Sequence, residues 1–501
     1  MKYLRKMFPE GILFLMTAIR AIVARFSPEY SDLVIEKVLS KYPFEFCGII
    51  SSGKPRFFSS IPQDRQEWFV SSDIRGCHYD DVDWNTLAPL DELLIESMRE
   101  CEAIFMGLMC RLEWKTQISY EERKKMYLRH LRFWNDYFDR QKINLYLSAW
   151  LPHEIPDIIP YYLCKQRGIP VICFDVSTER DTSFIVHGYE DSAVQLGERY
   201  EALLKEYAKK DISEISLNKQ FTERFNALTK PSGQKPPLQN QKYPLYFDHL
   251  KELLQRKPLH ILQFGMRYCT PSGIIRALSA WKRRRVIARN NAFYDKNAVA
   301  LDPNHRFVYF ALHFQPEMST IPMGGGFGDQ VLVAQLLSKY LPDDVLIYVK
   351  EHPRESSWLY RSEQFYQSFL DIKNVRLISR DTDSFALREH CEAVATITGS
   401  VGFEALFRSK PVLMFGHRFY QYSKGVFLIR THDDCRRAVQ AIFIDGQKPS
   451  LKESKLFLKA IEETRVHGLV NPWDRKVSHL SDEEHVVACS EAILAELRII
   501  L

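Results

Sequence analysis

The 501-residue sequence has no long apolar run, no strong charge of either sign, no paired cysteines and no internal repeat. Its most membrane-like stretch, Gly11 to Ile19, follows Lys2, Arg5 and Lys6 and is closed by Arg20. That is far short of the ~20 residues a bilayer span needs, and no A-x-A cleavage pattern follows it. The outline is that of a signal peptide, but the stretch reads as a first strand or helix. The ten cysteines (47, 77, 101, 110, 164, 173, 269, 391, 435 and 489) are scattered, with no C-x-x-C pair and no grouping with histidine at zinc spacing. A reduced, cytoplasmic protein without a structural metal is therefore expected. Sixty-eight Lys plus Arg against 63 Asp plus Glu leave a net charge of +5, which gives no argument for a nucleic-acid partner. What is present, 46% hydrophobic and 26% charged residues, describes an ordinary folded chain. At about 150 residues per domain, it has room for two large lobes.

In the first half, apolar stretches alternate with charged helical ones such as Glu121 to Arg140. The runs Ile143 to Trp150 and Ile169 to Phe174 flank a helical stretch, His153 to Arg167, closed by Gly168. Together they make one βαβ unit. Residues 229–245 contain four prolines among polar residues and read as a linker. A helical, basic stretch follows, densest at Lys282 to Arg285. After Asn304, strand candidates at Phe307–Phe314, Val345–Lys350, Val375–Ser379, Ala393–Thr398, Pro411–Phe415 and Val426–Ile429 alternate with helices at Gln330–Tyr340, Trp358–Leu370, Ser384–His390 and Phe403–Ser409. Such alternation demands parallel strands with crossover helices, hence a doubly wound α/β sheet.

Ligands of an open parallel sheet bind beyond the carboxyl ends of its strands, and three of these ends carry chemistry. The first presents His313 and Gln315, then a glycine-rich loop with Gly325 and Gly326. The second presents Lys350-Glu351-His352-Pro353, and the fourth Thr398-Gly399-Ser400, with Glu404 one turn further on. Glycine and serine opening a helix leave N–H groups suited to phosphate. Each feature also has a plain structural reading as a turn, a cap or a satisfied histidine. Three unrelated turns would have no reason to load one sheet edge, and that coincidence is the case for a site. Asp381-Thr-Asp383 has the D-x-D form of a metal site but reads as a helix cap. Thr398-Gly-Ser400-Val-Gly402 nearly matches a hydrolase nucleophile elbow, for which Asp433 or Asp434 and His467 are the available partners.

The segments FVYFALHFQPE, GGGFGDQ, VKEHP and TITGSVGFEALFRSKPVLMFG resemble those of the capsule polysaccharide biosynthesis proteins, bacterial glycosyltransferases of the GT-B type, over about 306–420. The resemblance implies two Rossmann-like lobes facing a central cleft. It also implies that His352 and Pro353 contact a donor nucleotide, that Ser400 and the backbone after Gly399 hold its phosphate, and that Glu404 binds ribose. His313, Gln315, Gly325, Gly326 and Lys350 complete the expected donor site. CMP-, CDP- and UDP-linked donors all stay open. No metal and no other cofactor is expected, and the acceptor is a polysaccharide or lipid-linked glycan.

Implied domains are an acceptor lobe over 1–230, a linker and basic helical segment over 231–302, a nucleotide-sugar lobe over 303–455, and a C-terminal helix over 456–501 packing back on the first lobe. Sugar transfer with inversion needs a base from the opposite lobe. Glu154, which follows a strand candidate, is the expected base, with Asp181 as alternative; His352 assists the departing phosphate. The cations of Lys282 to Arg289 read first as a solvated helix face, with peripheral attachment to the inner membrane as the alternative. A nucleotide-sugar 2-epimerase, an esterase and a non-catalytic capsule assembly or export component are the rival functions. The epimerases carry a D-S-G-G-x-x-E-E type segment that is absent here.

Overall fold

The computed structural model describes residues 18–26, 30–53, 57–79, 82–111, 118–230, 271–353, 361–471 and 478–500. Most of the apolar stretch Gly11 to Ile19 and residues 231–270 of the expected linker lie outside them. Twelve strands form two six-stranded sheets. The first contains β1 (Arg20–Ala24), β2 (Phe46–Ser51), β3 (Gln66–Val70), β4 (Leu145–Ser148), β5 (Val171–Val176) and β6 (Ser183–Val186) in the order β3-β2-β1-β4-β5-β6. All its pairings are parallel except β5 with β6. The second contains β7 (Arg306–Ala311), β8 (Val345–Lys350), β9 (Val375–Ile378), β10 (Ala393–Thr396), β11 (Val412–Met414) and β12 (Val426–Leu428) in the order β12-β11-β10-β7-β8-β9, parallel throughout. The two sheets share one winding scheme. In each, the order reverses beside the first strand, between β1 and β4 and between β7 and β10, and ligand crevices open at such reversals.

Parallel strands are covered by helices on both faces, so they read as unbroken apolar runs rather than alternating ones. Five of the six residues of β8 (VLIYVK) are buried, and the central four of β7 (RFVYFA) are buried. The helix Ile155–Arg167 makes one crossover, and Gly168 ends it in the left-handed conformation at φ +65°. Strand β8 and the helices Gln330–Tyr340 and Ser384–His390 have the boundaries read from the sequence. The helix expected over Phe403–Ser409 instead spans Ser400–Leu406, because the chain turns into it directly after Gly399, and Ser409 is left-handed at φ +53°. The helix expected from Trp358 is described only from Glu363 to Leu370.

The end of the chain returns to the first lobe. The helix Leu451–Thr464 packs on Val194–Glu206, and Asp482–Ile500 lies along Asp32–Leu39. Ile493 and Leu497 share a core there with Val34 and Val38. The lobes also touch directly: the rings of Phe184 and Phe419 are 5.6 Å apart. A Cβ at Gly197 would sit only 2.7 Å from the Tyr422 ring. The result is a pair of Rossmann-like, doubly wound lobes across a cleft.

Candidate active site

At the reversal of the second sheet, the ends of β7 and β10 are pinned together by His313. Its buried Nε2 accepts the Thr398 N–H at 3.1 Å, so the ring proton resides on Nδ1, which has no partner among the described residues. Burial, with His352 and Arg361 close by, pushes this imidazole down to about 3, and it is neutral. The Gly399 N–H donates to Thr396 Oγ1 at 2.9 Å. A Cβ at Gly399 would stand 2.8 Å from that oxygen and 3.1 Å from His313 Nε2, so only glycine fits.

Two residues that the sequence reading did not single out organise the next strand end. Glu351 and Arg361 form an ion pair with side chains 0% and 1% exposed. The Tyr366 hydroxyl donates to Glu351 at 2.6 Å, and the same carboxylate accepts the His352 N–H at 2.6 Å. Arg361 also donates to the carbonyl of His313. One buried pair therefore sets the backbone of both histidines. The half-buried His352 ring lies 5.8 Å from Phe314, and Pro353 beside it is exposed.

The remaining expected donor residues do not converge. Lys350 turns toward the loop after β9, donating to Thr382 O at 2.5 Å and Ser384 Oγ at 3.0 Å. Asp383 caps the helix Ser384–His390 by accepting from Phe385 N–H. Gln315 is buried and donates to Gly328 O at 2.9 Å, while Gln330 donates to Gln315 at 3.1 Å, so together they fasten the glycine loop to the end of β7. Glu404 is ion-paired with Arg388 in a largely buried position. Ser400 is exposed at the head of its helix.

Across the cleft, Glu154 caps the helix Ile155–Arg167 and lies 2.6 Å from Arg75 and 3.1 Å from Arg25. Burial works to raise its carboxyl, but Arg25, His153 and Arg75 outweigh it and hold Glu154 down at about 2. A carboxylate so well stabilised is a weak proton acceptor, because general bases work best with a pKa near the operating pH. Asp157 completes the cluster in an ion pair with Arg25.

Between the lobes lies a cleft of about 490 Å³. Arg111, His153 and Asp175 line it from the first lobe, and Thr398, Ser400 and Arg418 from the second; neither Glu154 nor Asp181 is among its lining residues. Arg111 bridges the lobes, donating to His153 O at 2.6 Å and Ile321 O at 3.0 Å. Arg418 does the same from the other side, meeting Asp175 at 2.7 Å and Val176 O at 2.7 Å. The Asp175 carboxyl is raised by burial, with Arg418 and Ser192 opposing. His153 donates from Nδ1 to Leu151 O at 2.7 Å in its neutral form, since burial and Arg25 push the ring down to about 3. Such a site combines confined space, two guanidinium groups and a raised carboxyl, the ingredients for handling a phosphate-bearing ligand.

Fold and cleft define a two-lobed Rossmann-like protein with a candidate site between the lobes. Residues 238–436 match the model of the family described as capsule polysaccharide biosynthesis protein, which bears out the resemblance read from the sequence over that segment. No curated protein matches the chain. Among solved structures, the chain is similar to the β-Kdo 2,7 transferase of Thermosulfurimonas dismutans KpsC at 12% identity, covering 80% of this chain and 97% of that one with a TM-score of 0.30. It is also similar to the UDP-GlcNAc 2-epimerase of Methanocaldococcus jannaschii (10% identity, 87% and 97% covered, TM-score 0.26). A third likeness is to Anabaena Alr3699/HepE in complex with UDP (11%, 96% and 100%, TM-score 0.27).

Proposed function

We propose that the chain is a glycosyltransferase that moves a sugar from a nucleotide-linked donor to a bacterial capsule or other surface polysaccharide. The observation that carries this reading is the cleft. Both switch-point edges face it, one bringing Thr398 and Ser400, the other His153 and Asp175, with Arg111 and Arg418 between them. The departing nucleotide phosphate gains negative charge as the glycosidic bond breaks. Fixed guanidinium groups in a site shielded from water stabilise that charge more strongly than solvent does. Metal-independent transfer accords with this use of arginine. The Ser400 hydroxyl is a further donor for the donor nucleotide, and His352 stands at the neighbouring strand end.

The base is the open assignment. Glu154 was favoured by its place after β4, yet its two arginines make it a poor acceptor of protons. Asp175 lines the cleft and its carboxyl is raised, which suits it better. Asp175→Asn is expected to lower turnover about a hundredfold or more, within the range of general-base catalysis, with nucleotide affinity kept. Glu154→Gln is expected to stay within tenfold of the parent. Product analysis with CMP-, CDP- and UDP-linked sugars and an oligosaccharide acceptor reads both, and the reverse ranking would return the role to Glu154. A donor converted to its epimer with no glycan extended would favour the 2-epimerase reading.

The proposal includes attachment to the membrane surface. On the helix Pro271–Asn297, Ile275, Leu278 and Trp281 are 65%, 55% and 50% exposed, immediately before the cations Lys282 to Arg285. The Arg285 guanidinium covers the Trp281 ring at 4.0 Å. Exposed apolar residues beside cations suit an anionic lipid surface, where each cation contributes about 1 kcal/mol. Among the described residues no helix is long and apolar enough to cross a membrane. Sedimentation with anionic vesicles at low salt should carry the protein down. Replacing residues 282–285 by Gln should weaken binding at least tenfold, and equal binding by that variant would refute the anchor.

A further inference from the structure

The glycine loop, expected from the sequence to complete the donor site, opens into a different cavity from the one that holds Arg111 and Arg418. This second cavity, about 690 Å³, also lies between the lobes. The segment Pro316–Met323 separates the two. Pro316, Glu317, Met318, Ser319 and Met323 line the cleft, whereas Thr320, Ile321 and Pro322 line the second cavity. Its volume falls within the range of small-ligand sites.

The chemistry of its walls differs from that of the cleft. Tyr162, Tyr189, Phe365 and Ile104 supply ring and aliphatic surface. Glu100, Glu190 and Asp329 supply carboxylates, and Gly325 and Gly326 exposed backbone. The Tyr162 hydroxyl donates to Glu100 at 2.9 Å, and Lys165 lies 3.0 Å from Glu190, so these carboxylates are held in place. The one histidine on the lining, His417, is pushed down by burial and by Arg430 and brings no cation. Lys165 offsets part of this charge from outside the lining, 3.8 Å from Glu100 and 3.0 Å from Glu190, but among the described residues no Lys or Arg lines the cavity itself to hold a diphosphate. The three carboxylates are acceptors for paired hydroxyl groups, and aromatic faces suit the apolar face of a sugar ring.

We propose that this second cavity binds an uncharged, hydroxyl-rich saccharide segment of the acceptor, with the phosphate-bearing donor on the other side of the Pro316–Met323 wall. Calling that saccharide an acceptor rests on the transferase reading; the binding itself does not. The cavity then selects neutral sugar residues and excludes acidic ones, while the arginine-lined cleft does the opposite.

The test is calorimetric titration of the full chain with lactose, maltose, N,N′-diacetylchitobiose and an α2,8-linked disialic acid, with CMP and UDP titrated in parallel. Two variants fill the cavity from opposite walls. Ala103→Trp enters from an exposed helix position, and Gly326→Trp enters where an added Cβ meets no atom within 4 Å, so both should fold. At least one neutral disaccharide should bind, each variant should weaken it tenfold or more, and Ala103→Trp should leave nucleotide affinity within twofold. Binding of none of the three neutral sugars, binding unchanged in both variants, or tighter binding of the disialic acid to the same cavity would overturn the proposal. Saccharide binding lost in the variants but with no nucleotide bound by the parent would keep the subsite and remove the transferase reading.

Discussion

Arg361→Met is expected to destabilise the protein by about 3–5 kcal/mol, because it strands Glu351 as an unpaired charge in a fully buried place. The methionine keeps most of the side-chain volume, so the loss is electrostatic rather than a cavity. Chemical denaturation should show a lower midpoint with little change of slope. The second variant, Arg361→Met with Glu351→Gln, should recover much of the loss, since no lone charge is then buried. Both variants should also weaken nucleotide binding, because the pair fixes the His352 N–H and the His313 carbonyl. Equal destabilisation of the single and double variants would show that the pair contributes by shape and not by charge.

Arg418→Ala is expected to cost about 3 kcal/mol and to do so in a pH-dependent way. Its partner Asp175 has a side chain only 2% exposed, and burial already raises that carboxyl against the pull of Arg418. An acid whose folded value is raised contributes its stability fully below the unfolded value near 4, and loses it as pH rises through the folded value. Removing Arg418 moves the folded value further up. The deficit of the variant should therefore be largest at neutral and alkaline pH and shrink on acidification. Thermal denaturation across that range is the measurement, and a deficit that grows toward acid would contradict the account. Because Arg418 also joins the lobes through Val176 O, loss of activity should accompany the loss of stability.

The second lobe was legible in the sequence because its parallel strands are buried on both faces and separated by short helices. Strand β8 and the helix Gln330–Tyr340 could be bounded from pattern alone. The first lobe was less so. Strand β1 (RAIVA) opens on a half-buried arginine and β3 (QEWFV) is only partly buried, so neither yields a distinctive apolar run. The antiparallel edge strand β6 carries no signal of its own direction. At the site, Ser400 and Thr398 were found because residues after a strand mark the binding edge, and both line the cleft. Position along the chain could not reveal that Lys350 and Glu404 are engaged by Ser384 and Arg388, or that the glycine loop faces a separate cavity. Nor could it pair Arg418 with Asp175, which are 243 residues apart. Such partners are chosen by the packing of the lobes. The acidic residue read from the strand-end pattern, Glu154, does follow β4, but its arginine neighbours lie just after β1 (Arg25) and in the helix after β3 (Arg75).

The central claim is that a nucleotide binds at the edge of the second sheet facing the cleft. Calorimetric titration of CMP, CDP, UDP and GDP into the parent chain and into His352→Ala and Ser400→Ala tests it most directly. At least one nucleotide should bind the parent, and each substitution should weaken it about tenfold, or about 1.4 kcal/mol, with the fold intact. If no nucleotide binds the parent, or if both variants bind as tightly as it does, the donor site proposed here is wrong.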